Sequence, residues 1–544
     1  GSEMCIRDSP WWKQKVIYQI YPMSFCDSNG DGIGDLPGII SRLDYLQKLG
    51  VGALWLSPVY PSPNKDNGYD ISDYCNIHPN YGTLQDMDTL IAEAKKRDIR
   101  IIMDLVINHT SDQHEWFQKS RRRIEPYTDY YIWRKGEKGK KPTNWGNFFG
   151  GDCWEYDDLR GEYYLHLFAK EQPDLNYHNE AVIEAIEEAM HFWLERGVAG
   201  FRCDVINIIY KEAIKNGKWR PALTGSEYYL STPGCHRVLH RLHEDVLAKY
   251  DAFTVGETVF VTPKMADDLV NPARGELSTV FAFEHMETDC YKIKWFLRRF
   301  SPDRFFACLT KWQKALPWNT VYLENHDQPR SVSRFGNDTQ YHDESAKALA
   351  TLVLTLRGTP FLYEGQEIGM TNFDFPDMQK VRDVESINIW NIGKRLHLPR
   401  SLRWRMIKTK SRDNARTPMQ WNDSPNAGFT TGTPWLSVNG NYPCINAAKQ
   451  ENDPHSVLTY YRQLIAFRNG SEILQAGDFS ELYRKDGVYA YRRSLNVESL
   501  IVVISLSTKE RPNPVSGTVV LSNYGRQESP ACLSPYEALI LREV

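Results

Sequence analysis

The stretch Gly200-Phe201-Arg202-Cys203-Asp204-Val205 decides how the fold is interpreted. It is short and mostly apolar, and it follows an amphipathic segment that ends at Gly197, so it predicts a buried parallel strand. Side chains two residues apart point to the same face of a strand, so Arg202 and Asp204 share a face. A buried charge must be paired or used. The two residues are therefore a structural ion pair or part of a functional site, and this stretch alone leaves both readings open.

The sequence on both sides of this stretch alternates between strand-like and helix-like segments. Eight strands, each followed by helical sequence, predict an α/β fold, the (β/α)8 TIM barrel. A doubly wound open sheet is the alternative, but no glycine-rich phosphate loop follows the first strand. The predicted strands cover residues 16–21, 53–56, 101–106, 200–205, 253–256, 278–283, 320–323 and 361–363, and the main predicted helices cover 39–49, 87–97, 180–196, 236–250 and 345–357.

Two segments interrupt or follow this alternation. Residues 110–177 are polar and rich in aromatics, which predicts an inserted subdomain rather than a loop. After residue 470 four strand-like runs and the hairpin signal Asp486-Gly487 predict a small antiparallel β-domain. The first nine residues resemble no structural element, and we interpret them as a leader or cloning remnant. The predicted domains are therefore 1–9 leader, 10–109 with 178–469 barrel, 110–177 inserted subdomain, and 470–544 C-terminal β-domain.

Composition excludes several classes of partner. The net charge of −4 provides no field for nucleic acid or an anionic membrane. No apolar run reaches the ~18 residues of a membrane span, and no signal peptide is evident. Ten cysteines without paired spacing indicate reduced thiols. We therefore predict a cytoplasmic monomer or weak homo-oligomer, without a nucleic-acid or membrane partner and without an organic cofactor.

Polar residues recur where the predicted strands end. In a (β/α)8 barrel the C-terminal ends of the strands carry the chemistry. Breaking a glycosidic bond needs a carboxylic acid that protonates the leaving oxygen and a carboxylate on the other face of the sugar, and clustered carboxylates separate these two roles. The residues at these ends are Asp104, Asn108 and His109 after the third strand, Arg202 and Asp204 in the fourth, Glu257 in the fifth, and Glu324 to Asp327 in the seventh.

These segments resemble the four signature regions of the α-amylase superfamily, glycoside hydrolase family 13. The resemblance covers the chain from Trp11 onward and implies a retaining, exo-acting α-glucosidase that releases glucose from short α-glucosides, with transglycosylation as a second outcome. The signature segments are residues 104–109, 200–204, 256–257 and 324–327, and the segments 67–70, 172–176, 358–361 and 412–421 resemble more narrowly the oligo-1,6-glucosidase branch.

The resemblance implies a role for each matching residue. Asp204 would be the nucleophile, Glu257 the general acid/base, and Asp327 the carboxylate that holds the sugar hydroxyls. Val205, directly after the nucleophile, goes with α-1,6 specificity. Tyr177 and Glu324 depart from the usual pattern of the branch. The implied substrate-binding residues are Arg202, His109 and His326 around the non-reducing glucose, Tyr69 as a stacking face, Asp70 and Arg412 at the far hydroxyls, and Glu385 and Lys294 at the leaving sugar.

The loop after the first strand has the spacing of a calcium loop. Asp27, Asn29, Asp31 and Asp35 supply oxygen ligands, and Ile33 supplies a backbone carbonyl. Position 12 of the loop is glycine, so this is not an EF-hand, and a plain Asp/Gly turn is the alternative. It also resembles the calcium loop of the branch. We predict one structural calcium or magnesium ion here.

Three rival functions fit parts of the pattern. A sucrose isomerase would carry an Arg-Leu-Asp-Arg-Asp-like loop, but residues 297–303 read Leu-Arg-Arg-Phe-Ser-Pro-Asp. A trehalose-6-phosphate hydrolase stays open, because its phosphate pocket has no sequence signature that we can identify. A catalytically inactive binding or transporter-accessory protein would lack catalytic carboxylates and carry a membrane anchor. All three carboxylates are present here, and we find no anchor in the sequence.

Overall fold

The structure is a computed structural model that describes residues 9–220, 223–291 and 293–543. The predicted leader lies outside these ranges except for Ser9. The chain forms two compact units. The first unit comprises Gly1–Leu54, Glu93–Ile99 and Phe283–Val544, and the second comprises Trp55–Ala92 and Arg100–Ala282.

Eight strands form one sheet, which is the predicted (β/α)8 barrel. Their order is β7-β8-β1-β2-β3-β4-β5-β6, with adjacent strands parallel in each pairing whose register is resolved. All eight predicted strands are present, with ends shifted by up to two residues. The strands are β1 (Ile17–Ile20), β2 (Ala53–Leu56), β3 (Arg100–Leu105), β4 (Gly200–Cys203), β5 (Phe253–Glu257), β6 (Thr279–Phe281), β7 (Thr320–Val321) and β8 (Thr359–Tyr363).

In the second unit, strand pairing aligns the charged residues of β3 and β4. Asp104 on β3 lies beside Arg202 on β4, and Arg202 lies beside Val255 on β5. A Cβ atom on Gly200 would lie 2.1 Å from the carbonyl oxygen of Phe253, so glycine lets the backbones of β4 and β5 approach this closely. This register brings the carboxyl ends of the strands, with their charged side chains, to one edge of the unit.

The amphipathic helix before β4 forms as its sequence predicts. It covers Glu180–Glu195, and the side chain of Asn179 caps it by accepting a hydrogen bond from the backbone N–H of Ala181. Its buried face includes Val182, Ile186, Met190 and Trp193. The other long helices of the second unit are Pro233–Asp245 and Pro263–Val270, and Leu84–Lys95 begins in that unit.

In the first unit, β1, β7 and β8 are parallel, with Ile17 beside Phe361 and Thr320 beside Thr359. The helix His342–Thr355 is buried along almost its whole length, because Ser345 to Thr355 are without exception buried. A predicted single helix over residues 39–49 is instead two helices that meet at Arg42. The main helices of this unit are Leu36–Ser41, Leu43–Leu49, Pro302–Ala315, His342–Thr355, Val384–Arg395, Arg400–Lys410 and Val457–Asn469.

Two further sheets lie within the predicted insert and the predicted C-terminal domain. The insert contains a three-stranded antiparallel sheet of Trp133–Arg134, Glu162–Leu165 and Trp154–Asp157. The C-terminal antiparallel sheet contains the predicted hairpin, where Asp486 (φ 54°) and Gly487 (φ 80°) join paired strands. Its strands, in sheet order, are Asp478–Lys485, Val488–Leu495, Glu498–Ser505, Ala538–Arg542 and Thr518–Ser522.

Two properties of the structure relate to the predictions of reduced thiols and of no membrane span. The nine cysteines in the described ranges are all free thiols. Among the helices of residues 9–220, 223–291 and 293–543, none is both long enough and apolar enough to cross a bilayer.

Candidate active site

A single guanidinium joins three carboxylates at the ends of β3, β4 and β5. Arg202 Nη1 donates to Asp204 Oδ1 at 2.6 Å and to Asp104 Oδ1 at 2.8 Å, while Arg202 Nη2 donates to Glu257 Oε2 at 2.6 Å. The arginine is 3% exposed, and Glu257 is the most exposed member of the group. The planar guanidinium of Arg202 thus holds the carboxylates of Asp204 and Glu257, the predicted nucleophile and acid/base, in fixed positions.

Asp104 is the least exposed member of this group. Its Oδ2 accepts hydrogen bonds from Trp55 Nε1 at 3.2 Å and from the Tyr69 hydroxyl at 3.1 Å. Tyr69, predicted as a stacking face, therefore also positions a carboxylate that holds Arg202. The guanidinium of Arg202 lies 5.3 Å from the ring centroid of Trp55 and 5.7 Å from that of Tyr69. The cation is therefore surrounded by carboxylates and aromatic rings.

The charges of this group do not cancel, because three carboxylates face one arginine. Burial raises the pKa of Asp104 to about 6, against the lowering effect of Arg202. Burial also raises the pKa of Asp204 well above its ordinary value; Arg202 opposes that rise, and the charge of Glu257 adds to it. Burial would lower the pKa of Arg202, but its carboxylate partners raise it well above the ordinary value. The group is therefore built to hold a proton as well as a cation.

Val205 is not the last residue of a strand, contrary to the sequence prediction. Strand β4 ends at Cys203, and Val205 has φ 38° and ψ 40°, in the left-handed region. This conformation is a true outlier for a β-branched residue. It turns the chain into the 3-10 helix Ile206–Ile208, and the backbone N–H of Val205 lies 3.3 Å from Glu257 Oε2. The side chain of Val205 is buried in an apolar cluster of the second unit.

His109 and Asp70 also lie in the second unit, and both are buried. His109 Nε2 lies 3.1 Å from the carbonyl oxygen of Tyr69 and 3.1 Å from the amide nitrogen of Gln172. Burial lowers the pKa of His109 to about 4, so the ring is neutral at pH 7. Asp70 accepts hydrogen bonds from the Ser62 hydroxyl and from two backbone N–H groups. These contacts fix the Asp70 carboxylate within its loop.

In the first unit, Asp327 is surrounded by two arginines and a histidine. Its Oδ1 accepts a hydrogen bond from Arg416 Nη2 at 2.7 Å and lies 3.5 Å from Arg412 Nη1, while its Oδ2 lies 3.2 Å from His326 Nε2. Burial would raise the pKa of Asp327, but His326, Arg412 and Arg416 hold it well below the ordinary value. Asp327 is therefore ionised throughout the working pH range of a protein.

His326 is positioned from two sides. Its Nδ1 lies 2.8 Å from the side-chain nitrogen of Gln19 on β1, and its ring stacks on Tyr21 with the centroids 6.0 Å apart. Arg416 Nε donates to the carbonyl oxygen of His326 at 2.9 Å. The same arginine thus orients both the backbone of His326 and the carboxylate of Asp327.

The two residues predicted at the leaving sugar contact each other. Lys294 Nζ lies 2.8 Å from Glu385 Oε2. Arg412 Nε donates to Asp383 Oδ1 at 2.8 Å and lies 3.8 Å from Glu385. Burial would raise the pKa of Asp383, but Arg412, Arg416 and Lys294 hold it well below the ordinary value. A continuous set of alternating charges therefore runs from Asp327 to Lys294.

Tyr177 and Glu324 both point into the protein. The Tyr177 hydroxyl donates to the carbonyl oxygen of Ile107 at 2.6 Å. Glu324 is 3% exposed, lies 3.3 Å from Arg330 and accepts from the backbone N–H of Ser331. Tyr177 and Glu324, the two residues that depart from the pattern of the branch, therefore make their polar contacts inside the protein.

The predicted metal loop is folded as a series of turns closed by its own side chains. Asp27, Asn29 and Asp31 each accept a hydrogen bond from the backbone N–H two residues on, at 2.8–2.9 Å. Burial would raise the pKa of Asp27, but hydrogen bonds from Thr430 and backbone N–H groups lower it. Asp35 caps the helix Leu36–Ser41. Among the described residues, no cluster of three or more His, Cys, Asp or Glu side chains is arranged to hold a metal.

Sequence reasoning did not assign four residues that hold the site: Asp104, Gln172, Asp383 and Arg416. Asp104 was visible at a strand end. Gln172 and Arg416 lie inside quoted motifs. Asp383 carries no local signal, because its role depends on Arg412, which lies in a different helix-and-loop segment.

Comparison with known proteins agrees with this geometry. The family model described as "Alpha amylase, catalytic domain" matches residues 19–477. An oligo-1,6-glucosidase of Parageobacillus thermoglucosidasius is 48% identical over 555 residues, covering 98% of this chain and 99% of that protein. A trehalose-6-phosphate hydrolase of Bacillus subtilis is 43% identical over 559 residues, covering 99% of each protein. The crystal structure of an isomaltulose synthase from a Klebsiella species is 40% identical, with a TM-score of 0.95 over 98% of this chain and 99% of that one. The chain therefore belongs to the α-amylase family of glycoside hydrolases.

Proposed function

We propose that this protein is a retaining, exo-acting α-glucosidase that prefers α-1,6 links. The observation that carries the proposal is Arg202, which contacts Asp204 and Glu257 at 2.6 Å each and so fixes two carboxylates as a pair. Oligo-1,6-glucosidases that are 47–48% identical over almost the whole chain support the substrate class. A cytoplasmic location, a monomeric or weakly oligomeric state, and a share of transglycosylation stay predictions from the sequence.

The proposed reaction has two steps. Glu257 donates a proton to the glycosidic oxygen while Asp204 Oδ attacks the anomeric carbon, so the leaving sugar departs and a β-glucosyl ester forms on Asp204. Glu257, now ionised, takes a proton from water, and that water attacks the same carbon and releases α-glucose. Arg202 opposes the rise in the pKa of Asp204 that burial causes, and so favours the ionised form that attacks.

Asp327 is assigned to the sugar hydroxyls by resemblance. Its contacts with Arg412, Arg416 and His326 keep the carboxylate ionised, so it can accept strong hydrogen bonds from hydroxyl groups. Developing positive charge at the anomeric carbon is stabilised by such a fixed anion. Lys294 and Glu385, which contact each other, are assigned to the leaving sugar.

The first prediction concerns stereochemistry. When isomaltose hydrolysis is followed by proton NMR, α-glucose is expected to appear first and β-glucose only through mutarotation, because two displacements at one carbon retain its configuration. Early β-glucose would contradict the assignment of Asp204 as nucleophile. Initial rates on maltose, sucrose, trehalose and trehalose 6-phosphate separate the rival activities. A preference for trehalose 6-phosphate, or conversion of sucrose to an isomer, would replace the proposed substrate.

The second prediction concerns Val205. A stiff β-branched side chain beside the nucleophile would narrow the space for a leaving sugar, and an α-1,6 link has an extra rotatable bond that moves this sugar away. Val205→Thr keeps the branching at Cβ and therefore the backbone strain, so it isolates the effect of polarity and packing. We expect the isomaltose-to-maltose ratio of kcat/KM to fall by roughly 10- to 200-fold. An unchanged ratio would show that Val205 does not set the preference.

The third prediction concerns the metal. We propose that Asp27, Asn29, Asp31, Asp35 and the carbonyl of Ile33 bind one calcium or magnesium ion with a structural role, since oxygen donors suit hard cations. Removing the ion with a chelator is expected to lower Tm, and calcium should restore it, because a ligand of the folded state stabilises that state. Asp31→Ala, which removes one oxygen donor, should abolish the calcium response. A Tm indifferent to chelator and calcium would contradict the site.

A further inference from the structure

A cationic cavity in the first unit is lined by none of the residues assigned to the reaction. It encloses about 460 Å³, and four arginines and one aspartate are its ionisable lining residues. We call it the arginine pocket; it is defined by Arg298, Arg299, Arg334, Arg405 and Asp289. Arg298 and Arg299 lie in the segment 297–303, which differs from the isomerase pattern.

The single acid of the arginine pocket is already neutralised. Arg334 donates to both oxygens of Asp289 at 2.8 Å, and Lys410 Nζ lies 2.7 Å from Asp289 Oδ1. Burial would raise the pKa of Asp289, but these two cations lower it to about 2. Glu287 also interacts with Arg334 and Lys410, but it is not a lining residue. The negative charge of Asp289 is therefore compensated by Arg334 and Lys410, and it does not balance the charge of the other arginines of the pocket.

The other three arginines of the pocket have no such partner. In the part of the chain that the structure describes, no ion pair with a carboxylate is formed by Arg298, Arg299 or Arg405. The guanidinium of Arg298 lies 5.3 Å from the ring centroid of Tyr291. Arg304 adds a further positive charge nearby: burial lowers its pKa, and so does Arg298. These three arginines are exposed and line one cavity without a carboxylate partner, so their positive charge is available to an anion from solvent.

The donors of the arginine pocket suit one chemical group. One guanidinium group can donate two parallel hydrogen bonds to two oxygens of a phosphate. Ser333, Thr409 and Asn372 add neutral polar groups to the lining. The volume is large enough for a small phosphorylated sugar and exceeds what a bare ion needs. We propose that the arginine pocket binds a phosphate group, carried by a hexose phosphate or present as the free ion.

The elements that form the arginine pocket also carry or lead to residues proposed to bind the substrate. Strand Ile293–Leu297 holds Lys294 and runs directly into Arg298, which lies four residues on, about 13 Å along an extended chain. Helix Arg400–Lys410 carries Arg405 and leads to Arg412. The phosphate site is therefore distinct from the glucose site, although a shared strand and helix connect the two.

Binding of phosphate to the full-length protein tests this proposal. Isothermal titration with inorganic phosphate and with glucose 6-phosphate, at ionic strength fixed with KCl and with glucose saturating the main site, should show one bound anion per chain. The variant Arg298→Gln/Arg405→Gln should bind about 10- to 100-fold more weakly, since charge-assisted hydrogen bonds are lost. The control variant Arg395→Gln/Arg400→Gln removes two exposed charges from neighbouring helices and should bind as the parent does.

Each outcome has a defined meaning. Binding of both probes identifies a sugar-phosphate site, and binding of inorganic phosphate alone identifies a site for the free ion. No heat beyond that of chloride, equal loss in the control variant, or binding of glucose 6-phosphate only when glucose is left out would overturn the proposal. Melting curves of both variants establish that they are folded. Because no step uses glycoside cleavage, the result is independent of the proposed enzymatic activity.

Discussion

Replacing Asp204 by Asn is expected to lower kcat on isomaltose by on the order of 10⁴- to 10⁶-fold, because no glucosyl ester can form. The amide keeps the shape of the side chain and one acceptor for Arg202, which contacts Asp204 at 2.6 Å. Binding of glucose should change little. The rate of isomaltose hydrolysis is measured in single-turnover and steady-state experiments. Contaminating parent enzyme is detected because its activity would be lost to an active-site inactivator at the rate of the parent. Activity within about tenfold of the parent would contradict the role of Asp204.

The same variant should be at least as stable as the parent, and the sign follows from burial. The pKa of Asp204 is raised in the folded state, so its contribution to stability is present at low pH and is lost as pH rises through that folded pKa. At pH 7 the folded parent therefore loses free energy at Asp204, either as a buried charge or as a proton taken up on folding, and Asn avoids this cost. Asp327→Asn is the matched control with the opposite sign, because the pKa of Asp327 is lowered and its contribution is present above the unfolded pKa.

The measurement is Tm of both variants at pH 7 and near pH 4. Asp204→Asn should raise Tm at pH 7 relative to the parent, with a smaller gain near pH 4, whereas Asp327→Asn should lower Tm at pH 7. Equal losses in the two variants would show that the carboxylates differ in chemistry but not in electrostatic environment.

The second large effect is expected for Glu257→Gln. Loss of the acid should cost about 10²- to 10⁴-fold on isomaltose, and much less on an aryl glucoside whose leaving group needs no proton. Azide should then restore turnover, because a small anion attacks the ester on Asp204 without help from a base. Two displacements retain configuration, so the product should be α-glucosyl azide.

Product analysis by NMR checks this prediction. Asp204→Asn treated in the same way is the control, because direct attack by azide in that variant would give the inverted β-azide. An equal loss on the two substrates, or no rescue by azide, would remove Glu257 from the role of acid/base.

The fold was predictable because its signals are local. The eight strands are short apolar runs between helices, and the helix Glu180–Glu195 buries the apolar face that its periodicity indicates. The break at Arg42 was missed because the apolar pattern continues through it from Leu36–Ser41 to Leu43–Leu49. Periodicity reports the buried face of a segment and does not report whether the backbone bends within it.

The site was predictable where strand ends carry the chemistry and less so where remote segments converge. Arg202 and Asp204 share a strand end, so their pairing follows from spacing alone. Asp383 and Arg416 depend on contacts with Arg412 and Asp327 across long sequence separations. The left-handed conformation of Val205 was invisible because its side chain predicts the opposite backbone region.

That conformation has a consequence for laboratory evolution. Glycine and asparagine adopt left-handed backbone angles at lower cost than valine, so either at position 205 relieves strain. A screen for heat resistance would enrich such variants wherever the relief of strain exceeds the loss of apolar burial in the cluster around Val205, although they lose the proposed determinant of bond preference. Libraries selected for thermal stability alone should therefore lose the preference for α-1,6 over α-1,4 links. Residue 205 should be kept as valine, or each variant should be assayed on isomaltose and on maltose.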